Sequence, residues 1–141
     1  MIGKFSILYP SIVMAVLTVV MILALGARRL AAVRKRAVAL RYYRTYDQVE
    51  GETGSLRQHA RHVQNHFEVP PLFHLGVLAT FAAGEVTPLA VGVAWFFVAS
   101  RCVHSVIHLT YNNVTHRFLV YGAGLLALLF LWLRLLMTLA G

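Results

Sequence analysis

The chain has 141 residues, 59% of them hydrophobic and 13% charged, against roughly half and a quarter in soluble domains. That balance excludes an ordinary soluble fold and points to a single-domain integral membrane protein. Thirteen Lys and Arg against five Asp and Glu give a net charge of +8. Nine of these cations lie between Arg28 and Arg61 beside apolar segments, so topology and anionic lipid account for them and no nucleic-acid partner is expected. A single cysteine, Cys102, excludes an intrachain disulfide and reads as a small buried residue.

Phe5 to Ala27 is an uncharged run of 23 residues, about 35 Å of helix against a bilayer core of about 30 Å. It reads as a transmembrane helix rather than a signal peptide, because Arg28 and Arg29 follow the apolar run instead of preceding it. The basic stretch to Arg44 can continue this helix out of the membrane to about residue 40, before a glycine-containing acidic loop (Asp47, Glu50, Gly51, Glu52, Gly54). By the positive-inside rule the basic loops face the cytoplasm and both termini lie on the opposite side. The next apolar segment, Pro70 to Gly84, is only about 22 Å long as a helix and must borrow length from the polar residues before it. A helix over about 56–84, kinked at Pro70 and Pro71, is expected; the alternative is a break at Val69 with a new helix opening at Pro70.

Gly84 to Pro88 reads as a tight outer turn, with Thr87 and Pro88 suited to cap and open a third helix over about 88–111. Asn112 to His116 is a short connection, so a fourth helix over about 117–139 returns antiparallel beside the third. Its Arg134 can snorkel outward, and Gly122, Ala123, Gly124 and Ala127 give it a small-residue face for close packing. The expected fold is an all-α integral membrane four-helix bundle. A transporter is disfavoured, since no inverted repeat is present.

Polar residues gather at one end of these helices. Arg61, Asn65 and Glu68 at i, i+4, i+7 share a helical face, as do Arg101, His104 and His108 at i, i+3, i+7, and Arg117 and Tyr121 lie one turn apart. Counting from the outer turn, Arg101 and Glu68 lie about 20 and 24 Å deep, so the two are expected to pair or to share a polar ligand. Cations outnumber carboxylates, which suits an anionic ligand. Arg57, His59 and His62 read as surface residues. Two pairs, His62 with His66 and His104 with His108, have zinc-compatible i, i+4 spacing, but without a matching Cys or carboxylate cluster no metal is expected. His74, His104 and His108 leave a haem-carrying electron-transfer protein as a rival, with simple packing or hydrogen bonding the better account of His74. No nucleophile-base-acid triad and no phosphate-binding glycine loop occur.

The segment RHVQNHFEVPPLFHLG, residues 61–76, and RCVHSVIHLTYNNVTHRFLVY, residues 101–121, resemble the second-helix and third-to-fourth-helix patterns of the MAPEG family, the membrane-associated proteins in eicosanoid and glutathione metabolism. The resemblance covers most of the chain. It implies a homotrimer binding glutathione between subunits near the cytoplasmic face, and a glutathione transferase- or peroxidase-type activity on lipophilic electrophiles. By position it implies that Arg61, Asn65, Glu68, His104, Arg117 and Tyr121 contact glutathione or line its site, with Arg117 at the thiol. A basic residue from the end of the first helix also belongs to the family site, and Arg34 and Arg36 both fit. Two departures stand out: His108 where several members have tyrosine, and Phe118 where the prostaglandin synthase has serine. A pocket rich in arginine, with one glutamate and one asparagine, complements the two carboxylates and the amine of glutathione, and a cation beside the thiol raises its thiolate fraction. A family-fold protein that binds or scaffolds without catalysis is the other reading.

Overall fold

The computed structural model describes residues 3–46 and 51–140, so Asp47 and Glu50 of the expected acidic loop lie outside the described residues. A short 3-10 turn, Lys4–Ile7, leads into α1 (Leu8–Arg34); α2 (Tyr42–Thr45), α3 (Gly54–Glu68), α4 (Pro70–Ala82), α5 (Pro88–Leu109) and α6 (Val114–Ala140) follow. All regular structure among the described residues is helical. Among the described residues, three helices are long and apolar enough to cross a membrane: Lys4–Arg34, Pro88–Leu109 and Val114–Ala140.

Helix α1 ends at Arg34 instead of running to about residue 40. Arg36 turns left-handed at φ 55°, and the Arg36 and Ala37 amides fold back onto the Val33 and Ala32 carbonyls, closing the helix with a left-handed cap. The second apolar segment is divided as the alternative reading has it. Pro70 and Pro71 carry no N–H for the carbonyls of His66 and Phe67, so α3 stops at Glu68 and α4 opens at Pro70. Only Val69, still right-handed at φ −100° and ψ −43°, separates them, and Leu72 and Phe73 bond back to its carbonyl.

The Thr87 hydroxyl accepts from the Ala90 amide at 3.2 Å and Pro88 occupies the first turn, which starts α5 where the sequence places it. Helix α6 begins three residues earlier than expected because the Asn113 side chain caps it, accepting from the His116 amide at 3.0 Å. Near its C-terminal end α6 is tied to the turn before α5: Arg134 donates to the Glu85 carbonyl at 3.2 Å and lies 3.8 Å from its carboxylate.

Helix α5 packs most extensively on α6, and α1 lies against α3, α4 and α5. The interior changes character along its length. Beside α4 it is apolar, built from Met14, Phe73, Val77, Ala94, Phe97, Leu128 and Leu131, with Phe73 and Phe97 stacked at 4.2 Å. His74 bonds to the Ser11 hydroxyl at 2.6 Å, in keeping with its expected hydrogen-bonding role. Beside α3 the interior is polar, with His59, His62, His66, Arg101, His104, Ser105 and His108 all buried. Cys102, expected inside, is exposed on the opposite face of α5.

A strap closes the basic end of α1. Buried Glu52 receives Arg29 Nε at 2.6 Å and the Tyr43 hydroxyl at 3.2 Å, while Arg57 Nε donates to its backbone carbonyl at 2.6 Å. Burial first and the Glu52 carboxylate second hold the Tyr43 phenol above its ordinary range. A raised folded pKa makes its stabilising contribution complete below the usual phenol value of about 10 and lost as pH rises through the raised value. In an alkaline ultraviolet titration, the component that Tyr43→Phe removes should move to lower pH in Glu52→Gln; an unchanged profile would exclude this contact.

Candidate functional site

Arg101 is 4% exposed, an expensive position for a cation among membrane helices. Its main partner is on α6: Nη2 donates to the Tyr121 carbonyl at 2.9 Å, while Nε has no hydrogen-bond partner; the guanidinium lies 4.4 Å from the Tyr121 ring centre and 5.0 Å from that of Phe97 on α5, within cation–π range. Gly124 makes the room. A Cβ there would collide with the Arg101 guanidinium and the Ser100 hydroxyl, which gives one position of the small-residue face on α6 a specific task. The expected Glu68–Arg101 ion pair is not formed: Arg101 points to α6, and Glu68 is exposed at the end of α3. Equal depth fixed their level but not the side of the helix on which each projects.

Around Arg101 the imidazoles form a row. His104 lies 5.5 Å from the Tyr121 ring and 5.5 Å from His108. His62 lies 5.7 Å from His104, 5.1 Å from His108 and 4.8 Å from His66. Correcting the surface assignment, His59 and His62 are 3% and 1% exposed: α3 turns this stripe toward α1 and α5, and only Arg57 of the three remains exposed.

Two cavities flank the row and share Arg117. The first, about 250 Å³, is lined by Asn65, His104, Val114, Arg117, Phe118 and Tyr121. The second, about 360 Å³, is lined by Gly54, Ser55, Arg57, Gln58, Arg61, His108, Asn112 and Arg117. Arg117 is half-buried, its Nη1 held by Asn112 Oδ1 at 2.7 Å and its Nε without a partner. Gln58 donates its amide to the His108 carbonyl, linking α3 to α5. Neither cavity is lined by a carboxylate, so both favour anions.

Six sequence-derived candidates, Arg61, Asn65, His104, His108, Arg117 and Tyr121, therefore line these two cavities, whereas Arg34 and Glu68 line neither and are exposed. Sequence reasoning missed Arg57, Gln58 and Asn112. Gln58, Arg61 and Asn65 are spaced i, i+3, i+7, so extending the α3 face by one turn would have found the second; Asn112 comes into place through its left-handed backbone at φ 50°, which the spacing does not reveal.

A helical integral membrane protein with an arginine- and histidine-rich site at one end of its helices is thus defined by fold and geometry together. The family model described as MAPEG family matches residues 7–137, and the chain belongs to that family, one of membrane proteins of eicosanoid and glutathione metabolism. The comparisons with curated proteins and with solved structures give no match.

Two outcomes follow from the geometry. Gly124→Val should destabilise the protein by about 1–3 kcal/mol through overpacking, seen as a lowered midpoint in detergent thermal unfolding, while Gly122→Ala, where a Cβ meets open space, should leave the midpoint close to the parent's. In a double-mutant cycle, Glu68→Gln and Arg101→Gln should add within about 0.5 kcal/mol; a larger favourable coupling would restore the ion pair.

Proposed function

We propose that this protein is a glutathione-binding membrane enzyme of transferase or peroxidase type that activates the glutathione thiol against lipophilic electrophiles. The observation that carries the reading is the pair of carboxylate-free cavities meeting at Arg117. Glutathione brings two carboxylates and an amine, and guanidiniums recognise carboxylates through paired N–H donors. Arg61 and its neighbours at the open end take a carboxylate, Asn65 and Tyr121 orient the tripeptide, and His104 and His108 supply ring hydrogen bonds.

Arg117 is assigned to the thiol. Deprotonation leaves an anion, and the fixed cation beside it raises the thiolate fraction, the form that attacks. Phe118 lines the same cavity, giving an apolar approach for an electrophile dissolved in the bilayer. Here α3 and α4 act together as the second of four crossings, three chains assemble as a homotrimer, and the site faces the cytoplasm with the termini opposite. Arg34 and Glu68, exposed in the single chain, are the two residues that a subunit boundary would complete.

Equilibrium binding of glutathione to detergent-purified protein, read by calorimetry and by thiolate ultraviolet absorbance, tests this reading. Glutathione should bind and develop thiolate absorbance, and Arg117→Leu should lower turnover with a model chloroarene by about 100-fold or more while retaining much of the binding. Binding without thiolate or turnover in the parent protein would favour the non-catalytic scaffold reading, and absence of binding would sink both the ligand and the activity.

A further inference from the structure

Arg117 stabilises a thiolate but cannot take the proton that a thiol gives up, because a guanidinium is already protonated. Of the described side chains that line the two cavities, only the imidazoles of His104 and His108 can act as bases near neutral pH. His108 lines the cavity that also holds Arg57, Arg61 and Arg117. It is 1% exposed, and neither of its ring nitrogens has a hydrogen-bond partner, a costly arrangement unless a ligand or a proton makes use of it.

Behind His108 the buried row has a fixed hydrogen-bond direction. The Thr18 hydroxyl gives its proton to the Met14 carbonyl at 3.0 Å, so its oxygen accepts from His66 Nδ1 at 2.9 Å. His66 Nε2 then carries a lone pair, which accepts the N–H of His62 Nε2 at 3.2 Å. A neutral imidazole has a single N–H, so His62 Nδ1 is left as a bare acceptor, buried and without a partner. The ring centres of His62 and His108 are 5.1 Å apart. The chain of donors from α1 through α3 thus ends in a lone pair on the ring next to His108.

On the premise that glutathione binds here, which rests on the proposed function, we infer that His108 is the base that takes the thiol proton and that His62 is the positioning residue that accepts the second N–H of the resulting imidazolium. The S–H bond breaks, its electron pair stays on sulfur, and the proton forms an N–H bond on the His108 ring. In an addition, that proton passes on to the carbanion or alkoxide created by thiolate attack; in a displacement, the leaving group departs as an anion and the proton goes to water. The charged and titratable groups that face His108 are Arg117 on α6, Arg61, His59 and His62 on α3, and His104 one turn back on α5. An imidazolium is repelled by those guanidiniums unless the negative charge of the thiolate lies beside it, which couples the proton transfer to the presence of glutathione.

The test follows glutathione binding to the full-length protein in detergent near neutral pH, by calorimetry in buffers of different ionisation enthalpy, which counts released protons, and by thiolate ultraviolet absorbance. The parent should release far fewer protons than it forms thiolates, because the proton stays on the protein; this measurement depends on no variant folding. His108→Gln should bind glutathione within about threefold of the parent, release about one proton for each thiolate, and lower turnover with the model chloroarene by about 100-fold, with recovery as rising pH lets hydroxide replace the base. His62→Phe should move proton release in the same direction, and His116→Gln on the surface should match the parent. Release of a full proton per thiolate by the parent, or parent-like proton release and pH profile in His108→Gln, would overturn the assignment and leave glutathione binding standing. Absence of binding or of thiolate in the parent would overturn the proposed enzyme activity and this assignment together.

Discussion

A guanidinium among membrane helices must be solvated by protein, and the way Arg101 meets that requirement organises the polar end of this molecule. With the outer shell of water removed, an ionised group costs several kcal/mol unless hydrogen bonds and polarisable neighbours replace it. Here the replacement comes from two helices: the Tyr121 carbonyl and ring on α6, where a glycine at 124 leaves the space, and the Phe97 ring one turn back on α5. Because Tyr121 sits on α6, its contact clamps α5 to α6 and fixes Tyr121 and Arg117 relative to His104. The close approach of α5 and α6 is therefore part of the electrostatics as much as of the packing.

The second constraint is the pair of prolines. Pro70 and Pro71 interrupt the backbone ladder at the level where the interior changes from histidine to phenylalanine. On one side α4 contributes Phe73 and Val77 to an apolar core; on the other α3 contributes His59, His62 and His66. A helix too short to cross and a helix too polar to cross are joined by a single residue, and each is placed beside the part of α5 that suits it. The break lets the buried face of α3 be polar and that of α4 apolar within one interior.

Between these constraints lies an excess of buried imidazole. Thr18 on α1 determines the tautomer of His66, which presents a lone pair to His62, and the chain of contacts ends at nitrogens that nothing in the protein satisfies. These open nitrogens lie beside two cavities that no carboxylate lines.

The sequence by itself determined the class of protein, the three long apolar helices and the shared faces within single helices. Apolar run lengths exposed the spans, Thr87-Pro88 marked a helix start, and period-3.6 spacing put Arg61 with Asn65, and Arg101 with His104 and His108, on common faces, because these depend on residues close in the chain. Tertiary structure alone decided which faces meet. Depth arithmetic levelled Glu68 with Arg101, yet side-chain azimuth sent Arg101 to Tyr121 and left Glu68 exposed. It also decided that the two histidine pairs oppose each other and that His59 and His62 are interior, since a polar stripe next to charges looks wet until a neighbouring helix covers it. Spacing along one helix records what shares a face; only packing between helices determines what that face touches.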